Sequence, residues 1–278
     1  MPEFDRRNMM LMTGIGLLAA AVSVPEARAL PNLPARPVPP PTAPPPDAAA
    51  GTYLFQDEFD GPAGSGPDLS KWLVVNWDTP VTPPIEGHYR DRNVFLDGNS
   101  NLVIRASREG SDYFSGKIQS LARLPIGHTW EARIKFDCLT PGCWPAFWLL
   151  NEDPLPDGEI DVVEWYGNDR WAPGSTVHAA SDGKTWAGRD IPELVDDAWH
   201  DWRVQWDETG FRFWRDYVDG ARPYVTVPAV PIKGRWPFNN PGYTLFPIFN
   251  VAVGGPGGGD PNLGNYPADM LIDWIRVW

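Results

Sequence analysis

Apolar side chains recur at every second position in many short segments of this chain, beginning near residue 51. In the segment NLVIRAS, Leu102, Ile104 and Ala106 lie two residues apart, and the segment TWEARIKF has the same period. A period of two is typical of a half-buried β-strand, whereas an amphipathic helix has a period of about 3.6. Eight further runs are strand-like: Lys117–Arg123, Trp144–Leu150, Glu159–Trp165, Ser175–Ala180, Trp199–Trp206, Phe211–Arg215, Leu245–Val253 and Met270–Trp278.

Turn-forming pairs such as Asp97-Gly98 and Asp219-Gly220 separate these runs, and no amphipathic helix of useful length lies between them. Many short strands without helical crossovers predict an all-β antiparallel sandwich or barrel. A propeller would show an internal repeat of about 20 to 50 residues, and the sequence has none. We therefore predict one domain from residue 51 to residue 278.

The first 29 residues have the pattern of an export signal. Arg6 and Arg7 precede an apolar run, and Ala27-Arg28-Ala29 fits a small-x-small cleavage site. The paired arginines resemble a twin-arginine signal. An uncleaved membrane anchor is the alternative, although the apolar run is short for a bilayer. Residues 30–50 are rich in proline and alanine, which predicts an extended linker. We expect a protein that is secreted, extracellular or held in the cell envelope, without stable membrane insertion after signal removal.

Charge and aromatic content narrow the choice of partners. A formal net charge of -13 disfavours binding to a nucleic-acid backbone. The chain has 15 tryptophans, all after residue 70, and we expect some of them to present flat surfaces to sugar rings. The two cysteines, Cys138 and Cys143, flank the turn-like segment LTPG, so a local disulfide is plausible in an oxidising compartment. Two free buried thiols are the alternative.

Three carboxylates are concentrated in the segment DGEIDVVEWYG. On a regular strand Glu159 and Asp161 would share one face, but Glu164 is five residues after Glu159 and would point to the other. A β-bulge at Val162 or Val163 would insert one extra residue and bring Glu164 to the face of the other two acids. A regular strand with Glu164 on the far side is the alternative.

The segment EIDVVE resembles the bulged Glu-x-Asp-x-x-Glu signature of glycoside hydrolase family 16, as found in laminarinase-type endo-β-1,3-glucanases. GCWPAFWLL resembles the strand that precedes that signature, FNVAVGG and DMLIDWIRVW resemble the closing strands, and FQDEFDG resembles the first strand. The resemblance therefore extends from Thr52 to Trp278. It implies a β-jelly-roll sandwich of two curved antiparallel sheets with an open cleft.

The resemblance also implies a chemistry, which is endo-cleavage of a polysaccharide with retention of configuration. Glu159 would be the nucleophile, Glu164 the general acid/base and Asp161 the assisting carboxylate. Retaining enzymes hold the two working carboxyl groups roughly 5–5.5 Å apart. The implied partner is a β-glucan, the implied oligomeric state is a monomer, and no organic cofactor is needed.

Several residues are candidates for binding the sugar. Trp144 and Trp148 are four residues apart on one strand and so share a face, which the resemblance places at the cleft floor. His178 and Asn93 match family positions near the cleft, although a lone strand histidine is commonly structural. Arg90 is a weaker candidate, with a solvated surface charge as the alternative.

Two further segments near the cleft bear on the resemblance. The family commonly has Trp-Pro shortly before the nucleophile, whereas this chain has Pro154 and Leu155, so one stacking platform is expected to be missing. The glycine-rich segment GGPGGGDPN lacks the ending of a phosphate loop and is predicted to be a loop at the cleft edge.

A structural calcium ion is a further expectation that rests on the resemblance. The family often holds calcium on the convex side through an acid of the first strand, an acid of the last strand and backbone oxygens. Glu58 and Asp273 match the two acids, with a backbone carbonyl near Gly98 as the third partner. A plain ion pair or an exposed acid is the alternative for Asp273, which alternation places on the face of Ile275.

Three functions fit these observations. The first is a secreted endo-β-1,3-glucanase, and the second is a sugar-binding lectin that keeps the fold without the chemistry. The intact set of three acids argues against a lectin, because a binding protein has no use for paired glutamates. The third is a transglycosylase that remodels an envelope polysaccharide, which would use the same residues.

Overall fold

The computed structural model describes residues 53–78, 87–151, 158–179, 186–191, 194–230 and 236–278, with only the backbone described for 186–190. The predicted export signal, the linker and the pair Pro154 and Leu155 lie outside these residues. Within the described ranges, no helix has the length and apolar character needed to cross a membrane.

Short strands account for most of the regular structure, as the alternation predicts. In chain order the strands are β1 (Phe55–Asp57), β2 (Trp72–Val74), β3 (Gly87–Tyr89), β4 (Val94–Leu96), β5 (Leu102–Glu109), β6 (Asp112–Ser115), β7 (Lys117–Ser120), β8 (Leu124–Pro125), β9 (His128–Asp137), β10 (Cys143–Leu150), β11 (Glu159–Glu164), β12 (Gly174–His178), β13 (Trp186–Asp190), β14 (Trp199–Asp207), β15 (Gly210–Arg215), β16 (Val225–Pro228), β17 (Thr244–Val253) and β18 (Ala268–Val277). One helical turn, α1 (Gly255–Gly258), and three 3₁₀ turns complete the described elements: Asp91–Asn93, Pro237–Asn239 and Pro261–Leu263.

The strands form two sheets. The ten-stranded sheet has the order β16-β15-β14-β9-β18-β5-β6-β3, with β1 paired to β18 and β4 to β5. The eight-stranded sheet has the order β13-β12-β11-β10-β17-β7-β2, with β8 paired to β17. Among the described pairs, β3 and β6 run parallel and the others run antiparallel. The predicted all-β jelly-roll sandwich is confirmed.

Large aromatic side chains fill the space between the sheets. Trp130, Trp202 and Trp206 of the ten-stranded sheet are fully buried, and the ring of Trp206 stacks on that of Trp130 with centroids 5.8 Å apart. Phe147 and Phe249 of the eight-stranded sheet stack at 4.7 Å. Burying rings of this size contributes more to stability than burying small aliphatic groups does, so the core uses several of the tryptophans.

The eight-stranded sheet has a second face, called here the cleft face, that points away from this core. On β10, Phe147 and Leu149 join the core, whereas Ala146 and Trp148 belong to a separate small cluster on the opposite face. The alternation of β10 thus sends one set of side chains into the sandwich and the other onto the cleft face.

A β-bulge interrupts β11 where the acid spacing predicts it. Asp161 pairs with Trp148 of β10, and Glu164 pairs with Ala146, so three steps along β11 match two steps along β10. The same shift occurs against β12. Val162 and Val163 are both fully buried in the core, which is possible because the extra residue changes the parity of the strand. The alternative of a regular strand is excluded.

Two expectations require correction. Cys138 and Cys143 are free, buried thiols, so the expected disulfide is absent. The turn between them is closed by backbone hydrogen bonds instead, from Thr140 N to the Cys138 carbonyl and from Cys143 N to the Thr140 carbonyl. Burial raises the pKa of both thiols, which disfavours the reactive thiolate.

The second correction concerns Asp273. The register of β18 against β9 shifts between Ile272 and Trp274, so Asp273 is the extra residue of another bulge. Ile272 and Ile275 therefore both reach the core, and Asp273 does not share the face of Ile275.

Candidate active site

The bulge in β11 brings three carboxylates to the cleft face. Glu159 lies at the start of the strand and is half-buried, while Asp161 and Glu164 are 3% and 9% exposed. Glu164 lies opposite Ala146 and Asp161 lies opposite Trp148, and both partners belong to the cleft-face cluster. Because the three carboxyl groups are close together and largely buried, ionisation of all three at once is unfavourable.

The bulge itself is held by a buried hydroxyl pair. Ser175 of β12 lies between Thr176, which pairs with Asp161, and Gly174, which pairs with Glu164. Its hydroxyl donates to the Val162 carbonyl at 2.6 Å and lies 2.8 Å from the hydroxyl of Tyr224. Ser175 is fully buried, so its hydroxyl supplies the hydrogen bond that the buried Val162 carbonyl of the bulge needs.

His178 supplies positive charge at the Glu159 end of the cluster. It pairs with Glu159 across β11 and β12, and its Nε2 lies 3.0 Å from Asp161 Oδ2 and 3.9 Å from Glu159 Oε1. Burial opposes the charged imidazolium, but the hydrogen bond to Asp161 and the surrounding carboxylates outweigh burial and raise the pKa of His178 to about 9. The raised pKa favours the charged form of the ring at neutral pH.

Glu164 occupies a different environment at the other end of the cluster. Trp144 Nε1 donates to its Oε1 at 2.8 Å, and the Tyr166 hydroxyl donates to its Oε2 at 2.6 Å. Burial, then the charge of Asp161, raise the pKa of Glu164, and the two hydrogen bonds only partly oppose this shift. Its neighbours are neutral donors, so they do not offset the loss of water as a cation would.

Burial and the charge of Asp161 also raise the pKa of Glu159, but two nearby cations partly oppose this shift. His178 and Lys117 both lower the pKa of Glu159. Lys117 lies on β7, with its Nζ 4.9 Å above the Trp148 ring, and burial lowers the pKa of its own ammonium to about 8. The charge pattern therefore favours the proton on Glu164 and the negative charge near Glu159.

The predicted sugar-binding residues are placed as follows. Trp144 is half-buried beside Glu164, whereas Trp148 is only 4% exposed and donates to Asn250 Oδ1 at 2.7 Å. Trp148 thus offers little surface for stacking. Asn93 is buried, and its amide donates to the Arg105 carbonyl at 2.8 Å.

Arg90 lies outside the acid cluster. Its guanidinium pairs with Asp78, donates to the Tyr89 carbonyl at 2.9 Å and lies 5.7 Å from the centre of the Phe114 ring. The described contacts of Arg90 are therefore those of a surface ion pair against an aromatic ring.

Sequence reasoning missed Lys117, Asn250, Tyr166 and Trp171 as part of this region. Lys117 offered one signal, because alternation places it on the opposite face from its apolar neighbour Ile118, which belongs to the core. For the aromatic pair Tyr166 and Trp171 no periodic signal exists, because both follow β11 in a loop.

The expected calcium ligands are engaged by arginines. Both oxygens of Glu58 accept from Arg276, at 2.9 and 2.8 Å. Asp273 Oδ2 lies 3.3 Å from Arg133 Nε. Gly98 lies in the turn after β4 with a φ of 83°. Because guanidinium groups already neutralise both carboxylates, these residues fit a calcium ion poorly. The calcium expectation stays a prediction, and no step below depends on it.

One set of three metal-ligating side chains occurs in the part of the chain that the structure describes. It consists of Glu159, Asp161 and His178, whose ligand atoms lie within 4.8 Å of one another. The ion pair between His178 and Asp161 already accounts for this proximity.

A sequence model of glycosyl hydrolases family 16 matches residues 85–275, which include both sides of the cleft face and all three acids. The chain belongs to glycosyl hydrolase family 16. It is 30% identical to glucan endo-1,3-beta-glucosidase A1 of Niallia circulans, over 84% of this chain and 38% of that protein. The chain thus spans less than half the length of this family 16 relative.

Solved family 16 structures resemble the chain over more of their length. A protein of Mycobacterium tuberculosis, described as an immunostimulatory antigen and pseudo beta-1,3-glucanase, is 57% identical with a TM-score of 0.78, over 82% of this chain and 99% of that one. A beta-1,3-glucanase of Mycobacterium marinum is 58% identical with a TM-score of 0.76, over 82% and 100%. Both of these solved structures match the chain over nearly their whole length.

Proposed function

We propose that this protein is a secreted, retaining endo-glycosidase that hydrolyses β-1,3-linked glucan of the laminarin type. The observation that carries the proposal is the bulge at Val162 and Val163, which brings Glu159, Asp161 and Glu164 to one face. Double displacement requires two carboxyl groups that flank the scissile glycosidic bond, and acids on one face of the cleft can do so.

In the first step Glu164 donates its proton to the glycosidic oxygen while a Glu159 oxygen attacks the anomeric carbon. The bond to the leaving sugar breaks, and a covalent glycosyl ester forms on Glu159. The raised pKa of Glu164 supports this assignment, because the group must carry a proton near neutral pH. The two cations near Glu159 support its role as the ionised partner.

In the second step Glu164, now ionised, removes a proton from water. The water oxygen attacks the anomeric carbon, the ester to Glu159 breaks, and the sugar leaves with its original configuration. Asp161 and His178 act together on the nucleophile side, where their 3.0 Å contact holds the assisting carboxylate in place. The chemistry needs no organic cofactor, and we propose that the protein works as a monomer.

A non-catalytic β-glucan-binding protein is the second candidate. The description of the M. tuberculosis relative as a pseudo beta-1,3-glucanase favours it. In that case the cleft would bind glucan and release it unchanged.

A product assay separates the two candidates. The domain is incubated with laminarin, lichenan, agarose and xyloglucan, and we expect oligosaccharides from laminarin. Glu159→Ala and Glu164→Ala should each lose at least about a hundredfold in kcat/KM. Glu109→Gln, which changes an exposed glutamate on β5, is the matched control and should keep full activity.

Azide distinguishes the two roles with an aryl β-laminaribioside, whose leaving group needs little protonation. In Glu159→Ala, azide should attack the anomeric carbon directly and give the α-glycosyl azide. In Glu164→Ala, azide should attack the glycosyl ester and give the β-glycosyl azide. Binding of laminarin by the wild-type domain without any product would reject hydrolysis and support the binding function.

We also propose export and a location outside the cytoplasm or in the cell envelope. The basis is the sequence of residues 1–29, where paired arginines precede an apolar run and a small-x-small site. N-terminal sequencing of the protein recovered from the culture medium should find a chain that begins near Leu30. Recovery of the intact N-terminus in the membrane fraction would contradict cleavage.

A further inference from the structure

A series of aromatic rings extends from Glu164 towards the protein surface, away from Glu159 and Asp161. Trp144 and Tyr166 both donate to Glu164, and their ring centroids are 6.0 Å apart. The Tyr166 ring in turn meets Trp171 edge to face, at 5.3 Å and 87°. Exposure increases along this series, from buried Glu164 to half-buried Tyr166 to Trp171 at 38% exposed.

Trp171 is exposed to solvent, although the loop that carries it is held by several hydrogen bonds. Asn168 donates to the Pro256 carbonyl at 2.6 Å, and its side-chain oxygen accepts from the backbone N–H groups of Arg170 and Trp171. Its own backbone N–H donates to the Gly257 carbonyl at 3.0 Å. One side chain therefore ties the loop to the helical turn α1 and fixes the backbone of Trp171.

The turn α1 also supports the inner end of the aromatic series. A Cβ added at Gly257 would lie 2.3 Å from the Trp144 ring, so the turn lies directly against that indole. The glycine-rich segment is thus the common base of Trp144 and of the loop that carries Trp171. Rigid aromatic surfaces bind sugar faces at a low entropic cost, because little side-chain freedom is lost on binding.

The position of the loop indicates which part of the glucan it would meet. It connects β11 to β12, whereas Lys117 and Trp148 lie on the other side of β11, on β7 and β10. Along β11 the order is Glu159, Asp161, Glu164 and then the loop, so the loop lies at the Glu164 end of the acid cluster. Glu164 contacts the oxygen of the leaving sugar in the proposed reaction, and Tyr166 is bonded to Glu164.

We propose that Trp171, backed by Tyr166, forms a sugar-binding platform on the leaving-group side of the cleavage point, where it also holds an incoming acceptor glucan. This inference rests on the proposed function. With an acceptor on the platform, its hydroxyl oxygen attacks the anomeric carbon of the glycosyl ester, the ester to Glu159 breaks, and the hydroxyl proton passes to Glu164. The platform thus raises the share of transglycosylation products relative to hydrolysis products.

The test compares two substrates and two products. Laminarihexaose places sugars on the leaving-group side, whereas an aryl β-laminaribioside places an aryl group there. In Trp171→Ala the ratio of kcat/KM for laminarihexaose to that for the aryl substrate should fall about three- to tenfold. The ratio of transfer products to hydrolysis products at high laminarihexaose concentration should fall as well.

Two control variants test whether the effect is specific to an aromatic ring at position 171. Trp171→Tyr keeps an aromatic surface and should retain most of both ratios. Trp199→Ala removes a half-buried tryptophan of the ten-stranded sheet, and both ratios should stay at the wild-type value. Unchanged ratios in Trp171→Ala, with cleavage intact, would overturn the platform and leave the proposed hydrolysis standing.

A binding titration covers the case in which the wild-type domain cleaves neither substrate, which would reject the proposed hydrolysis. Laminarihexaose is titrated into the wild-type domain and into Trp171→Ala by calorimetry. A Kd raised about threefold or more in the variant would support the platform as a binding site. Equal Kd values would overturn it.

Discussion

Buried carboxylates occur in two regions of this molecule, and their surroundings differ. On the outer face of the ten-stranded sheet, Arg203 donates to both oxygens of Glu131, at 3.0 and 3.2 Å. Arg133 lies 3.1 Å from Asp201 on the same face. All four residues are at most 6% exposed, and each acid has a guanidinium directly against it.

On the cleft face the acids outnumber the cations that touch them. Glu164 accepts only from the neutral groups of Trp144 and Tyr166 among the contacts described, and burial raises its pKa. His178 is shared between Asp161 and Glu159. The cleft thus keeps a buried acid, Glu164, with no cation among its described partners, whereas Glu131 and Asp201 on the outer face each have a guanidinium.

The contrast separates structural acids from candidate catalytic ones. A buried acid that is paired by a guanidinium satisfies both charges and leaves nothing to react. A buried acid without such a partner is held in a costly state, which is common where a protein needs a proton donor with a raised pKa. The same residue type therefore has different roles on the two faces of the sandwich.

The largest expected effect tests the outer face. Arg203→Met removes the bidentate partner of Glu131 and should lower the free energy of unfolding by about 3–5 kcal/mol, because a buried carboxylate loses its counter-charge. Denaturant unfolding measures the loss. The double variant Glu131→Leu with Arg203→Met should recover most of it. A single variant as stable as the wild type would show that the two faces do not differ as described.

A smaller effect is expected from the bulge that creates the cleft cluster. Ser175→Ala removes the hydroxyl that binds the Val162 carbonyl, and kcat on laminarin should fall about tenfold, because Glu164 is then less firmly aimed. KM should change little. Ser65→Ala, which removes a serine hydroxyl that donates to the Pro62 carbonyl in an exposed turn, is the control and should keep the wild-type kcat. Loss of stability with kcat unchanged would make Ser175 purely structural.

Stability against pH gives the next effect, with a definite sign. The pKa of Glu164 is raised above its ordinary value of 4.5, so ionisation costs the folded state more than the unfolded state. The wild type should therefore lose stability as pH rises from about 4.5 through the raised pKa. Glu164→Gln removes this loss and should unfold at a temperature a few degrees higher than the wild type at pH 9.

At pH 4 the same two proteins should unfold at nearly equal temperatures, because Glu164 is protonated in both states of the wild type. Thermal unfolding at several pH values measures the difference between them. A difference that stays constant with pH would contradict the raised pKa of Glu164.

The smallest expected effect refines the environment of Glu164. Tyr166→Phe removes a hydrogen bond that favours the ionised carboxylate, so the pKa of Glu164 should rise further. The alkaline limb of the pH profile for kcat/KM should then move to higher pH by less than about one unit. The acidic limb, set by Glu159, should stay in place. An alkaline limb that moves to lower pH would contradict the assignment.

Alternation predicted the longer strands, whereas short strands such as β2, β3 and β8 were not predicted, because two or three residues are too few to show a period. The three acids were recognised from their spacing and from the family resemblance. The bulge at Val162 and Val163 followed from that spacing together with the family resemblance. The bulge at Asp273 did not, because its flanking residues fit regular alternation equally well. The cysteine turn was misread for a similar reason, since proximity along the chain does not decide whether a disulfide forms.

The contacts that distinguish the outer face of the ten-stranded sheet from the cleft face could not be predicted from the sequence. The pairing of Arg203 with Glu131 depends on the register of β14 against β9, residues 72 positions apart. Trp171 and Tyr166 lie in a loop, where side-chain direction follows from the hydrogen bonds of Asn168 and not from periodicity. Long-range register and loop anchoring therefore had to come from the structure.

The most direct test of the central account is the configuration of the first product formed from laminarin. Proton NMR during the first minutes of reaction distinguishes the two anomers before they equilibrate. The pairing of Glu159 with Glu164 on the bulged strand predicts that the β-anomer of the new reducing end appears first. Initial formation of the α-anomer, or no product at all, would contradict the assignment of Glu159 and Glu164 as a retaining catalytic pair.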